Sequence, residues 1–157
     1  MNSPVSEFPF EVRNLEILLA EDNPGDVRLT RDALKRSRLR INLNVAANGE
    51  DALAFLRQER KYAEAARPTL VLLDLNMPMK DGRQVLTEMR SDPNLACIPV
   101  IILTTSDAEE DIVRSYKLHA NAYVSKPIHV SQFMAVVKSI EEFWMGVAKL
   151  PPHITGK

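Results

Sequence analysis

Short apolar runs alternate along this chain with stretches of helical patterning, and that alternation narrows the folds open to it. LEILLA at residues 15–20 reads as a strand. Asn23 then stands as an N-cap, with Pro24 in the first helical position and Asp26 in the first turn, predicting a helix to about Arg38. NLNVA at residues 42–46 is a second, shorter strand, and Asn48-Gly49-Glu50-Asp51 opens a helix carrying Leu53, Leu56 and Tyr62. TLVLL at residues 69–73 is continuously apolar, as befits a strand covered on both faces. A loop with Pro78 and Gly82 leads into a third helix ending near Ser91. IPVIIL at residues 98–103 is the fourth strand, and Ser106-Asp107-Ala108-Glu109 has capping-box spacing for a helix after it. AYVS at residues 122–125 is the fifth strand, and a last helix is expected from about Val130 to Lys149.

Five strands alternating with five helices imply an α/β fold, a doubly wound five-stranded parallel sheet with helices on both faces. The strand order expected is 2-1-3-4-5, the flavodoxin-like arrangement. The chain has 157 residues, which suits one domain at 14–149 flanked by tails at 1–13 and 150–157. A hydrophobic content of 45% suffices for one core. With 20 basic and 21 acidic residues the formal charge is −1, which lacks the basic excess of a nucleic-acid binder. The single cysteine, Cys97, leaves no internal disulfide, in keeping with a reducing, cytoplasmic setting. The first residues do not read as a secretory signal, and no apolar run reaches membrane-spanning length.

Sheets of this kind bind ligands outside the carboxyl ends of their strands. Strand one ends in Glu21-Asp22, strand three in Asp74 followed by Asn76-Met77-Pro78, strand four in Thr104-Thr105 and strand five in Lys126-Pro127. Each residue has an ordinary alternative: helix-dipole acids, a turn aspartate, strand threonines, a solvated lysine. Their convergence on one sheet edge is what argues for chemistry. Three close carboxylates repel one another unless a cation compensates, and all-oxygen ligands favour a hard ion of the Mg²⁺ type. Beside it Asp74 can act as a carboxylate nucleophile toward phosphorus, with Lys126 and a threonine hydroxyl meeting the phosphoryl oxygens.

These residues, with Asp81-Gly82, closely resemble the response-regulator receiver family of two-component signalling over roughly residues 15–144. The resemblance implies that Asp74 is the phosphoacceptor. It implies Mg²⁺ ligation by the carboxylates of Asp22 and Asp74 and the backbone carbonyl of Asn76, with Glu21 acting through a metal-bound water. Thr104 matches the switch hydroxyl, Thr105 its neighbour, Tyr123 the switch aromatic and Lys126 the phosphate-pairing lysine, with a cis Lys126–Pro127 bond expected. The acidic pair is Glu-Asp where the family more often has Asp-Asp. The stretches EDNPGDVRLTRDAL and LTTSD further resemble stand-alone cyanobacterial phytochrome response regulators, which implies a phytochrome-type histidine kinase as partner; other stand-alone receivers share these stretches, and a different kinase stays open.

Too few residues follow Trp144 for an output domain, so output by surface recognition is expected. FWMGV, at the end of the last helix, is apolar nearly all round. Phe143 and Trp144, with Tyr116 and Ile112, are candidates for a homodimer contact through the fourth helix, fifth strand and last helix. Folding back of Phe143 and Trp144 over their own core is the alternative. The basic run at residues 34–40 reads as a helix end, and His119, His129 and His153 lack ligand spacing. Three other readings compete. An aspartyl phosphohydrolase of the haloacid dehalogenase type wants an acid where Asn76 stands. A flavodoxin-like electron carrier would have its flavin phosphate repelled by Glu21-Asp22. A degenerate receiver that only binds a partner is the third, and the full set of site residues argues against it.

Overall fold

A computed structural model describes residues 14–37, 39–104, 117 and 119–142. The elements run β1 (Asn14–Ala20), α1 (Pro24–Lys35), β2 (Arg40–Ala46), α2 (Gly49–Leu56), a single 3₁₀ turn (Arg60–Tyr62), β3 (Leu70–Asp74), α3 (Gly82–Ser91), β4 (Val100–Thr104), β5 (Ala122–Ser125) and α4 (Val130–Glu142). The five strands form one parallel sheet in the order β2-β1-β3-β4-β5. The flavodoxin-like expectation therefore holds, with four helices among the described residues.

Strand parity divides the core in two. Leu18, Ala20, Val71, Leu73, Val100 and Ile102 pack on one face with Leu53 and Leu56 of α2 and Val85, Leu86 and Met89 of α3. Leu15, Ile17, Leu19, Leu70, Leu72, Ile101 and Leu103 pack on the other with Ala33 and Leu34 of α1 and Phe133 and Val137 of α4. Both faces are thus dry, which is why β3 and β4 are apolar up to their last residue and β1 is apolar from Ile17 to Ala20.

Several boundaries differ from the sequence expectation. The first helix stops at Lys35, where the Arg36 N–H turns back to Ala33 and the Ser37 hydroxyl accepts from the Leu39 N–H at 3.2 Å. Strand β2 begins earlier, at Arg40, because its ladder with β1 runs the full length of both. Tyr62 is not part of the second helix. That helix ends at Leu56, Gln58 and Arg60 take positive φ of 56° and 54°, and Tyr62 returns in the 3₁₀ turn to meet Phe55 at a ring separation of 5.2 Å. Strand β4 begins after Pro99, which has no N–H to give; its carbonyl accepts from Val71 at 3.0 Å. The last helix begins at Val130 as expected, and its expected end at Lys149 lies outside the described residues.

Caps aim the helices at the carboxyl edge of the sheet. Asn23 accepts from Asp26 N at 3.0 Å, Asn48 from Asp51 N at 2.8 Å, and Asp81 and Gln84 form a reciprocal capping box. At the opposite edge one guanidinium gathers the chain. Arg90 donates to the carbonyls of Ala96 and Ile98 at 3.0 Å each, to that of His119 at 3.1 Å, and to Asn121 Oδ1 at 3.1 Å. Asn121 Oδ1 in turn accepts from Val100 N at 2.8 Å, so Arg90 ties the beginnings of β4 and β5 to α3.

The start of α3 lies directly against the end of β3. The Gly82 N–H donates to Leu75 O at 2.9 Å, and a Cβ at position 82 would overlap the Asp74 carbonyl. Gly82→Ala should therefore lower stability by about 1–3 kcal/mol, the usual cost of overpacking against backbone. Urea unfolding followed by circular dichroism checks this, and an unchanged midpoint would show that α3 can back away freely.

Candidate functional site

Two strand ends deliver acids to the carboxyl edge, and a third delivers a lysine. After β1 the Glu21 N–H extends the ladder by donating to Ala46 O at 2.9 Å, which fixes the backbone where the acidic pair begins. Glu21 is buried at 1% exposure, while Asp22, the next residue, is exposed. Asp74 closes β3 at 5% exposure, and its Oδ1 accepts from Asn76 N at 3.2 Å. Carboxylate oxygens of Glu21, Asp22 and Asp74 lie within 4.8 Å of one another.

Lys126 follows β5 across a cis peptide bond to Pro127. Its Nζ donates to Glu21 Oε1 at 2.7 Å and to Asp26 Oδ2 at 2.9 Å, and lies 3.5 Å from Asp74 Oδ2. The side chain is 7% exposed. The ammonium thus bridges the ends of β1 and β3 and the first turn of α1.

The electrostatics follow from burial. Desolvation pushes the Glu21 carboxyl up to about 7, with hydrogen bonding and charge from Asp74 adding to the rise and the Lys126 hydrogen bond opposing it. Burial works to lower the Lys126 pKa, but the hydrogen bonds to Glu21 and Asp26 and the charges of Asp74 and Glu21 outweigh it, and the ammonium is held above its ordinary value. One lysine therefore only partly offsets the packed acids. The donor set fits a hard divalent cation: the ligand atoms are carboxylate oxygens, and a buried acid carries a raised pKa that such an ion would reverse.

Of the residues expected here, Glu21, Asp22, Asp74 and Lys126 come together. Asn76 is exposed immediately after them. Tyr123 lies half-buried in β5, packed against the cluster that contains Ile102. Thr104 closes β4 in register with Ser125, and the structure describes its backbone only. Thr105, Ile112, Tyr116, Phe143 and Trp144 lie outside the described residues. His119 and His129 are exposed and stand outside the acidic group. Asp26 joins the acidic group through Lys126, a residue that the sequence reading places only in the first turn of the first helix. Its place in the first turn of the helix that follows the acidic pair is the available signal, since that helix starts at the carboxyl edge of the sheet.

Comparison with known proteins bears on this arrangement. The response regulator receiver domain family matches over residues 17–138. Response regulator Rcp1 of Synechocystis is 44% identical over 135 residues, covering 86% of this chain and 92% of its own. The crystal structure of its Mn²⁺-bound form superposes with a TM-score of 0.68, covering 87% of this chain and 98% of the other. The phosphorylated cyanobacterial phytochrome response regulator RcpA is 50% identical with a TM-score of 0.72, covering 88% and 99%. The bacteriophytochrome response regulator AtBRR is 40% identical with a TM-score of 0.75, covering 84% and 96%.

The raised Glu21 pKa has a testable sign. Glu21 binds its proton more tightly folded than unfolded, so the folded state gains protons relative to the unfolded one between its ordinary value of 4.5 and about 7. Stability must then fall as pH rises through that window. In chelator, the urea midpoint should drop from pH 5 to pH 7.5. Glu21→Gln should flatten that slope, and saturating divalent cation should restore stability at pH 7.5. A midpoint that rises over the same range would contradict the assignment.

Proposed function

The chain belongs to the response regulator receiver domain family, and on that premise we propose that it is a phosphoacceptor switch in which Asp74 takes a phosphoryl group from a histidine kinase. The observation that carries this is the meeting of buried Asp74 with Glu21, Asp22 and Lys126 at one sheet edge. In this reading the receiver spans residues 14–149.

Asp74 Oδ attacks phosphorus as the bond from phosphorus to the donor's histidine nitrogen breaks, and the imidazole leaves with the electron pair. The carboxylate is pre-positioned by the Asn76 N–H, which orients one oxygen and leaves the other facing Lys126. Lys126 brings a fixed positive charge to the place where the phosphoryl oxygens arrive, so little reorganisation is needed during transfer. Asp22, Asp74 and the Asn76 carbonyl, with Glu21 through a water, would hold a Mg²⁺ ion, which would supply further neutralisation of those oxygens. Thr104, at the end of the adjoining strand, supplies a hydroxyl hydrogen bond to the same group, with Thr105 as its neighbour. Tyr123 on β5 turns with it and changes the surface beyond. Slow return of the carboxylate by hydrolysis is the only turnover this scheme contains.

The similarity to RcpA and AtBRR supports a phytochrome-type kinase as the phosphoryl source, and we propose a cytoplasmic setting with it. No described helix is long and apolar enough to cross a membrane. For output, we propose a homodimer through the segment following Ser106, β5 and the last helix, with Ile112, Tyr116, Phe143 and Trp144 at its contact and no role for nucleic acid.

Incubation with acetyl phosphate and Mg²⁺ should yield one acid-labile phosphate per chain, and Asp74→Asn should lose it. Retention of the label at the native level in folded Asp74→Asn would sink the assignment. Transfer from a panel of histidine kinases should be fastest with a phytochrome kinase. Size-exclusion chromatography should show a dimer that Phe143→Ser and Trp144→Ser convert to monomer; a native monomer with or without phosphate would remove the dimer.

A further inference from the structure

Asp26 occupies the third position of α1, where an acid is ordinarily read as complementing the helix dipole. Here its carboxylate does something more specific. It accepts a hydrogen bond from Lys126 at 2.9 Å, about as short as the one Lys126 gives to Glu21 at 2.7 Å. The nearest Asp74 oxygen is 3.5 Å from the same ammonium. A lysine has three hydrogens to give, and two are committed to acids other than the phosphoacceptor. Glu21 belongs to the trio whose oxygens share the metal-sized space, whereas Asp26 stands outside that trio.

We propose that Asp26 is a positioning residue for Lys126: it holds one of the ammonium's hydrogen bonds and so competes with a phosphoryl group on Asp74, weakening the phosphorylated state. The inference rests on the phosphoacceptor reading above. Its physical basis is the tether. Asp26 is fixed in a capped helical turn, its own N–H bound to Asn23, so it cannot follow Lys126 toward Asp74. A phosphoryl oxygen that recruits Lys126 must either draw it from Asp26 or share its charge. Either way the acid reduces the positive potential available to the phosphate. Asp26 is 30% exposed, so solvent screens part of its charge and the effect is modest.

The probe is beryllofluoride, a phosphoryl mimic, titrated in saturating Mg²⁺ and followed by fluorine NMR. Native protein binding beryllofluoride is the control for the phosphoacceptor reading, and failure of that arm overturns the reading before any variant is compared. Asp26→Asn should bind roughly 5-fold more tightly, the gain that a partly exposed ion pair of about 1 kcal/mol allows. Asp26→Glu, which restores the carboxylate, should return toward native affinity. In a Lys126→Ala background Asp26→Asn should bring no gain. Unchanged or weaker binding by folded Asp26→Asn overturns the proposal, and so does an equal gain without Lys126, which would mark a general charge effect. Should Asp26→Asn fail to fold, Asp26→Ser serves the same comparison.

Discussion

One ammonium stands between carboxylates from three parts of the chain, and the geometry of the site depends on it. Lys126 reaches Glu21 after β1, Asp26 in α1 and Asp74 at the end of β3. Without a cation, burying Glu21 and Asp74 side by side would be unfavourable, since each removes the other's access to solvent while adding like charge. The lysine only partly relieves this, as the raised Glu21 pKa shows. The packed acids therefore carry residual stress, and added positive charge relieves it. The acidic cluster is thus a place that a hard cation fits.

The fold around it was legible because the sheet is covered on both faces. Strands β3 and β4, and β1 from Ile17 onward, are then apolar without alternation, and their short length between turn signals reads as strand. Glu21, Asp22, Asp74 and Lys126 were legible because polar groups that interrupt such runs at their carboxyl ends have one place to go. What escaped was set by groups that carry no side-chain signal or carry an ambiguous one. Tyr62 is grouped with Leu53 and Leu56 in the sequence reading, yet it sits beyond two residues of positive φ, a turn that no glycine announces. Asp26 satisfies the helix-dipole rule so well that its second role was hidden behind the first. Arg90 serves backbone carbonyls, which look the same at every position in a sequence.

The two faces of the sheet also divide the work of support. Helices α2 and α3 share one cluster, and they are tied again at the surface where Arg57 reaches Glu88 at 3.2 Å and Asp92 at 3.5 Å, and Lys80 pairs with Glu88. Such exposed pairs contribute little individually. Their placement still matters, because Lys80 belongs to the loop that leads from Asp74 to α3. The backbone behind Asp74 is held by packing at Gly82 and by a charge pair on the far side of the same loop.

The Arg90 bracket has a consequence of a different kind. Its four acceptors are amide oxygens, which neither titrate nor bind protons over the range in which Glu21 changes charge. Its own guanidinium stays charged throughout. The molecule therefore has two ends of unlike character. At one, charge varies with proton load. At the other, the beginnings of β4 and β5 are registered to α3 by bonds indifferent to it, a fixed datum against which displacement at the opposite rim can be measured.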